Sequence, residues 1–189
     1  VSVFLNSFPT CRSTTSSFNA KVDFSTGTAP FSVAIGDLDG DGKVDMAVAN
    51  TANHTISIFR NTSSNGSITS SSFASKVDFV TGTNPQSINI GDLDGDGKAD
   101  LAVANINSAS VSVFRNTSTS GSITSSSFAA KVDLSTGSSP GSLAIGDFDG
   151  DGKADLAVAN SGSNNVSVFR SNPLFQPAIT SFTPTSAPT

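Results

Sequence analysis

Short apolar segments separated by polar turns organise this chain of 189 residues. Four kinds of segment follow one another in a fixed order. Each is rich in Val, Ile, Phe or Ala and is bounded by Gly, Asn, Pro or Asp, which is the pattern of β-strands. In chain order they are FSVAIG, QSINIG and GSLAIG; VDMAVAN, ADLAVAN and ADLAVAN; TISIFRN, SVSVFRN and NVSVFRS; and FASKVDFVTG with counterparts that begin at Phe18 and Phe128. Because no stretch has a sustained helical period, the pattern predicts an all-β fold.

The four segments recur with a constant step of 55 residues, as Asp37, Asp92 and Asp147 show. No insertion or deletion breaks the register, and a step backwards maps Phe59 onto Phe4. A fixed period of this size indicates stacked units such as propeller blades or a solenoid. We therefore predict β-propeller-type blades, with four antiparallel strands per 55-residue repeat and about three and a half repeats.

The second segment of each repeat is apolar on both faces. In a strand, Met46 and Val48 point to one face, whereas Ala47 and Ala49 point to the other. A strand with a large and a small apolar face needs cover on both sides, which stacked propeller sheets supply. A sandwich core would supply it too, but the strict repetition favours stacking.

The connection between the third and fourth segments is polar, NTSSNGSITSSS in one repeat and NTSTSGSITSSS in the next. We expect it to lie on the protein surface. This connection and other loops contain Asn-x-Ser/Thr triplets, the acceptor pattern for N-linked glycans. Glycosylation is therefore a hypothesis for Asn53, Asn61, Asn65, Asn116 and Asn165.

Composition and charge exclude several classes of function. The net charge is −5 and few residues are basic, which argues against nucleic acid or an anionic membrane as partner. No apolar run is long enough to span a membrane. Cys11 is the only cysteine and His54 the only histidine, so neither a disulfide within the chain nor a catalytic His–acid pair is expected. We do not expect an enzyme.

The acidic residues are concentrated in three loops of identical spacing. In the first, GDLDGDGKVD, aspartates stand at positions one, three, five and nine, Gly42 stands at six, and Lys43 at seven can offer its main-chain oxygen. Oxygens that alternate around a tight turn are the ligand pattern of calcium, whereas Mg²⁺ keeps more water. The predicted carboxylate ligands are Asp37, Asp39, Asp41 and Asp45; Asp92, Asp94, Asp96 and Asp100; and Asp147, Asp149, Asp151 and Asp155. We expect one Ca²⁺ per loop and three per chain.

An EF-hand shares the early spacing of these loops. It requires a bidentate Glu at position twelve and a helix on each side. This chain has Val48, Val103 and Val158 at position twelve, and β-type segments flank the loops. A calcium loop between two strands fits better, and solvated acidic turns without metal are the remaining alternative.

The stretch SVAIGDLDGDGKVDMAVAN, followed by TISIFRN, resembles the FG-GAP/VCBS repeats of integrin-like β-propellers. The resemblance implies a four-stranded blade per repeat, with a calcium loop between the first two strands. It also implies that Lys43, Lys98 and Lys153 contribute main-chain oxygens to the ions. Members of that family are mostly extracellular, many act in adhesion, and most such repeats are not catalytic.

The repeats account for residues 1–171, and residues 172–189 form a tail rich in Pro, Ser and Thr. We expect this tail to be a linker or an extended strand that pairs with a neighbouring subunit. At 55 residues per repeat the chain is too short for a ring of about seven blades, the usual number in the family it resembles. It is therefore expected to be part of a larger protein, or a homo-oligomer whose copies complete one another head to tail, as in a filament.

These observations predict a secreted or cell-surface bacterial module that is stabilised by calcium. Its role would be structural, in adhesion, surface display or self-assembly into extracellular fibres. The alternative is a carbohydrate- or protein-ligand-binding propeller module of a larger extracellular protein. The absence of Trp and Tyr disfavours a sugar-stacking surface, and we expect the Phe side chains at core positions of the repeats or in the tail.

Overall fold

The computed structural model describes residues 1–3, 18–64 and 66–171, and all regular elements in these residues are β-strands. Cys11 and the tail, residues 172–189, lie outside the described residues. Within the described ranges no helix could cross a membrane. The strands are β1 (Ser2–Val3), β2 (Val22–Asp23), β3 (Pro30–Gly36), β4 (Asp45–Asn50), β5 (Thr55–Phe59), β6 (Val77–Val80), β7 (Pro85–Gly91), β8 (Asp100–Asn105), β9 (Ser110–Phe114), β10 (Val132–Ser135), β11 (Pro140–Gly146), β12 (Asp155–Asn160) and β13 (Asn165–Phe169).

Each repeat forms its own antiparallel sheet, with neighbouring strands in chain order. Strands β3–β6 form sheet 1, β7–β10 form sheet 2, β11–β13 form sheet 3, and β1 pairs with β2 in an N-terminal ribbon. The predicted all-β, propeller-type fold of about three and a half repeats is confirmed, and the sheets do not close into a ring. The fourth strand is shorter than its pattern predicts, because Phe73 forms only an isolated bridge with Asn61 before β6 begins.

The sheets stack face to face, and each has a small and a large apolar face. The small face of sheet 1, with Ala47 and Ala49, packs against the large face of sheet 2, with Leu101 and Val103. Sheets 2 and 3 repeat this arrangement, and Val1 and Val3 of the ribbon pack on the large face of sheet 1 beside Met46 and Val48. The large and small apolar faces predicted from the second segment are therefore the faces that pack against each other in the stack.

Not every Phe lies in the core. Phe59, Phe114 and Phe128 are buried and take part in edge-to-face ring contacts, as expected for core positions. Phe18, Phe31 and Phe148 are exposed, so the expectation is wrong for these three. Phe31 begins the series of β3 side chains that no other sheet covers within the described residues, and Phe148 lies in the loop between β11 and β12.

Candidate metal centres

The acidic loops connect the first and second strands of each sheet. Acid loop 1 spans residues 36–45, acid loop 2 residues 91–100 and acid loop 3 residues 146–155. Each contains two glycines with positive φ, which are Gly40 (69°) and Gly42 (84°) in acid loop 1. Side chains with a Cβ rarely adopt this conformation, so glycine permits the double turn that curls the loop.

The turns bring the carboxylates at positions one, three and five together. In acid loop 1, Asp37, Asp39 and Asp41 each offer an oxygen, and these three oxygens lie within 4.8 Å of one another. The other two loops form the same clusters, from Asp92, Asp94 and Asp96 and from Asp147, Asp149 and Asp151. Three convergent carboxylate oxygens suit a hard divalent cation such as calcium.

Main-chain hydrogen bonds hold the clusters in shape. The N–H groups of Gly40 and Gly42 donate to the two oxygens of Asp37 at 2.7 Å and 2.9 Å, and the Asp41 N–H donates to Asp39 Oδ1 at 3.1 Å. Acid loops 2 and 3 repeat the contacts of the first aspartate. The aspartates therefore shape the turn as well as supplying candidate ligands.

The ninth-position aspartate lies outside the three-carboxylate cluster and fastens the loop to the sheet. Asp45 accepts hydrogen bonds from Leu38 N at 2.9 Å and from Asn61 N, just after β5, at 2.7 Å. Asp100 and Asp155 accept the corresponding pairs. The structure thus assigns this position an anchoring role, and its service as a metal ligand remains a prediction.

The lysines at position seven differ in the contacts of their side chains. Lys98 Nζ donates to Ser118 O at 2.9 Å, whereas Lys43 Nζ lies 3.7 Å from Asp41 Oδ2. The main-chain oxygens of Lys43, Lys98 and Lys153 remain predicted ligands.

Burial perturbs the carboxylates of acid loops 1 and 2. Asp39 is only 2% exposed, and its Oδ2 has no hydrogen-bond partner, although Arg60 Nη1 lies 3.9 Å away. Burial raises the pKa of Asp39 and of Asp45, and it raises the pKa of Asp100 to about 6. An orphaned carboxylate oxygen within a cluster of three carboxylates fits a bound cation, which would restore the lost interaction.

The polar connection between β9 and β10 docks onto acid loop 1. Asn116 Nδ2 and Ser118 Oγ donate to Leu38 O at 2.8 Å and 3.0 Å, and Gly121 N donates to Asp39 O at 3.0 Å. We expected this connection to lie on the surface, but Asn116 is only 1% exposed and Ser118 is also buried. The expectation is wrong for these residues because the main-chain carbonyls of the acid loop satisfy their polar groups.

The same burial corrects one glycosylation hypothesis. Asn116 Nδ2 donates to Leu38 O and to Ala99 O, so this nitrogen is inaccessible in the folded protein. Asn53 and Asn165 are exposed, Asn61 is half-buried, and Asn65 lies outside the described residues. Glycans at the exposed positions remain a hypothesis.

Acid loop 3 has different surroundings. Asp147, Asp149 and Asp151 are all exposed, and the Arg170 guanidinium pairs with Asp149 and lies 3.2 Å from Asp151. Sequence reasoning missed both this arginine and Arg60, which contacts acid loop 1. The signal was present, because an arginine follows the third strand at the same step of 55 residues.

A cleft of about 460 Å³ opens between acid loops 1 and 2. Its walls include Asp37 and Gly40 on one side, Asp92 and Lys98 on the other, and Ser120 of the docked connection. Charged and hydroxyl side chains line part of the cleft, so it could hold a small hydrophilic group.

The comparison with family models agrees with this architecture. The model of the FG-GAP-like repeat family matches residues 37–103 and 92–158. No curated protein matches the chain. Among solved structures, the chain is similar to a crystal structure of "BBS1N in complex with ARL6DN, soaked with mercury", with 11% sequence identity and a TM-score of 0.33. That similarity covers 78% of this chain and 55% of the other.

The two family matches overlap and together extend over residues 37–158, which include all three acid loops and strands from all three sheets. Because these matches cover more than half of a chain whose sheets and loops repeat in the same register, the protein belongs to the FG-GAP-like repeat family.

Proposed function

We propose that this protein is a calcium-stabilised structural module in which each acid loop binds one Ca²⁺, giving three ions per chain. One observation carries the proposal: Asp39 Oδ2 is buried without a hydrogen-bond partner, inside a cluster of three carboxylates that recurs in every repeat. Leaving such an oxygen unpaired is costly, whereas a divalent cation would bind it together with its neighbours.

The residues that would hold calcium are the aspartates at positions one, three and five, the main-chain oxygen of the lysine at seven, and the aspartate at nine. The ion would neutralise carboxylates that repel one another and would cross-link the two turns of the loop. Asp45 and its counterparts would then connect the ion to the segment that follows the third strand, because Asp45 already accepts the main-chain N–H of Asn61 just after β5.

Calcium at acid loop 1 would also strengthen the stacking of sheets 1 and 2. The connection from sheet 2 binds the carbonyls of Leu38 and Asp39, so it needs the loop in its curled form. A ligand that binds only the folded state stabilises that state by mass action. The proposed ion would therefore stabilise the stack as well as its own loop.

FG-GAP-like repeats are typical of extracellular proteins and are typically structural rather than catalytic. This supports a secreted or cell-surface module of bacterial origin that serves in adhesion, surface display or self-assembly into fibres. Calcium concentrations outside cells suit sites of the modest affinity that extracellular modules have. The tail, as a linker or an inter-subunit strand, belongs to the same proposal.

Calorimetric titration of the metal-free protein with CaCl₂, and separately with MgCl₂, tests the proposal. We expect about three calcium ions per chain and weaker binding of magnesium, because Mg²⁺ gives up its water reluctantly. Asp39→Ala should remove one site, whereas Asp78→Ala, which changes an aspartate outside the loops, should leave all three. An absence of calcium binding, or equal effects of the two variants, would contradict the proposal.

The cleft between acid loops 1 and 2 favours a second candidate function, the binding of a small polar ligand such as a carbohydrate. Ser120 and Lys98 could donate hydrogen bonds there, and calcium in acid loop 1 could bind ligand hydroxyl groups. Screening on a glycan array with calcium present tests this candidate. Glycan binding that is lost in the Ser120→Ala variant would support this candidate function, and an array without any binding would contradict it.

A further inference from the structure

Within the described residues, the two outer sheets each leave part of an apolar face uncovered, which in sheet 1 is the β3 part that the ribbon does not reach. On the large face of sheet 1, Val33 is 53% and Ile35 is 69% exposed, whereas Ile88, the counterpart of Val33 in sheet 2, is 3% exposed. On the small face of sheet 3, Ala159 of β12 is exposed, whereas its counterpart Ala104 in sheet 2 is 0% exposed. The same repeat position is therefore covered inside the stack and open at its two sides.

The internal interfaces show how such faces fit together. Ile88 N of sheet 2 donates to Ser32 Oγ of sheet 1 at 3.3 Å, and Leu143 N of sheet 3 donates to Ser87 Oγ of sheet 2 at 3.3 Å. Two interfaces built from equivalent residues with equal distances define one packing operation, in which a small face always meets the large face of the following sheet.

Glycines at the ends of the first strands mark the closest approach. A Cβ placed on Gly36 would lie 2.8 Å from Ile90 Cγ2, and one on Gly91 would lie 3.0 Å from Ile145 Cγ2. Each isoleucine therefore occupies the space above a glycine of the preceding sheet. A side chain at either glycine would force its isoleucine to move.

The third glycine and the first isoleucine of this series both lack that contact. Gly146 is the equivalent position in sheet 3, and a Cβ built on it would meet no atom within 4 Å. Ile35 is the equivalent isoleucine in sheet 1, and its side chain is 69% exposed. One chain thus presents both halves of the contact, on opposite sides of its stack.

We infer that these two faces bind each other between copies of this chain, the small face of sheet 3 on the large face of sheet 1 of the next copy. Ile35 of the next copy would lie above Gly146, and its Val33 N–H would donate to Ser142 Oγ. The contact is heterologous, so repetition generates an open row of copies rather than a closed dimer. This inference rests on the proposed structural role and names the partner for it, a second copy of the chain.

The packing operation requires one exchange of strands. The ribbon of the next copy already covers Met46 and Val48 of its own sheet 1, where β13 of the first copy would otherwise lie. The sequence VSVF is the same in residues 1–4 and in residues 166–169. Strand β1 can therefore replace β13 beside β12, with Ser2 opposite Val158 in the place of Ser167.

The exchange produces a composite four-stranded sheet, with β11 and β12 from one copy and β1 and β2 from the next. The ribbon resembles the third and fourth strands of a complete sheet. Ser2 Oγ donates to Asp23 within the ribbon, and Ser57 Oγ donates to Asp78 between the third and fourth strands of sheet 1. Ala157 and Ala159 of β12 would then cover Val33 and Ile35, as Ala47 and Ala49 cover sheet 2.

Association of the full-length protein in calcium, measured by analytical ultracentrifugation over a range of concentrations, tests the surface. We expect wild-type protein to associate and Ile35→Asp to weaken association at least tenfold. Val132→Asp is the matched control, because Val132 is also largely exposed, at 58%, but lies on β10 of the inner sheet 2, which contributes to neither open face. A wild-type protein that stays monomeric, or equal behaviour of the two variants, would overturn the inference.

Disulfide trapping tests the register of the contact. The Cβ of Ile90 lies 3.5 Å from a Cβ built on Gly36, a distance that a disulfide spans. In a Cys11→Ser background, a mixture of Gly146→Cys protein with Ile35→Cys protein should form mixed dimers on mild oxidation. The internal pair Gly36→Cys with Ile90→Cys should close within one chain. Closure of the internal pair without mixed dimers would overturn the proposed register.

Two further results separate this inference from the calcium proposal. If chelator does not change the melting temperature and association still depends on Ile35, the calcium proposal is contradicted and the proposed association surface is supported. Deletion of residues 172–189 should not weaken association. Loss of association on that deletion would identify the tail as the occupant of the open face and overturn the inference.

Discussion

Acid loops 1 and 3 have nearly the same sequence, GDLDGDGKVD and GDFDGDGKAD, but different surroundings. The connection of the next sheet covers acid loop 1, where Asp39 is buried and one of its oxygens is left without a hydrogen bond. In acid loop 3 the equivalent Asp149 is exposed and pairs with Arg170. The comparison teaches that the loop sequence fixes which oxygens converge, whereas the neighbouring sheet fixes how strongly those oxygens need a cation.

The anchoring aspartates show the same contrast. Asp45 and Asp155 each accept two main-chain hydrogen bonds from equivalent positions. Burial under sheet 2 raises the pKa of Asp45, whereas the hydrogen bonds from Ser171 and Phe148 dominate at Asp155 and lower its pKa. Equal hydrogen bonding therefore gives opposite shifts of the pKa, because desolvation outweighs the hydrogen bonds at Asp45 but not at Asp155.

Removal of calcium should have the largest effect. We expect chelation to lower the melting temperature strongly, because each site filled at a hundred times its dissociation constant contributes about 2.7 kcal/mol. Thermal melting with and without chelator, at matched ionic strength, measures the change. An unchanged midpoint would show that the acid loops do not depend on metal.

Single-ligand variants should separate the two loops. Asp39→Ala should remove about 2–3 kcal/mol of calcium-dependent stabilisation, the contribution of one filled site. In chelator the same variant should melt at or above the wild-type temperature, because it removes a buried carboxylate. Asp149→Ala should also lose calcium-dependent stability, but without that gain in chelator. Melting of both variants in both conditions checks the contrast, and identical profiles would show that burial does not distinguish the loops.

The contacts of the β9–β10 connection with acid loop 1 can be weakened without changing a candidate metal ligand. Asn116→Ala should cost about 1–3 kcal/mol, because it removes a donor from the carbonyls of Leu38 and Ala99 and leaves the buried N–H of Ser118 without its acceptor. Asn61→Ala changes the equivalent residue of sheet 1, whose amide donates only to Val44 O at a partly exposed site, and should cost less than about 1 kcal/mol. Denaturant unfolding in saturating calcium measures both, and equal costs would mean that docking on acid loop 1 contributes little.

A carboxylate outside the loops should give the smallest effect. Burial opposes ionisation of Asp78, but hydrogen bonds from Lys76 and Ser57 outweigh it and lower the pKa. Its contribution is therefore present above the ordinary pKa of about 3.8 and is lost as pH falls through the lowered value. Asp78→Asn should cost no more than about 1 kcal/mol at pH 7, since the pair is solvent-screened, and its difference from wild type should shrink below pH 4. A difference that stays undiminished as pH falls from 4 to 3 would assign the effect to packing.

Much of the fold could be predicted because it repeats. The 55-residue step and the alternation of Met46, Ala47, Val48 and Ala49 are enough for stacked four-stranded sheets, because local spacing sets which side chains share a face. The acid loops could be predicted for the same reason, since their ligand spacing is contained in nine consecutive residues. The anchoring role of Asp45 could not, because its partner Asn61 follows β5, 16 residues away along the chain.

The sequence by itself determined the strand pattern, the glycines that curl each acid loop, and the convergence of three carboxylates in every repeat. These features depend on backbone geometry and on neighbours within a few residues. Only the tertiary structure decided that Asn116 is buried, that Asp39 lacks a hydrogen bond for one oxygen, and that Ile35 and Gly146 lie open on opposite sides of the stack. The physical reason is that burial depends on which sheet lies above a residue, so equal sequences acquire unequal electrostatics and unequal surfaces.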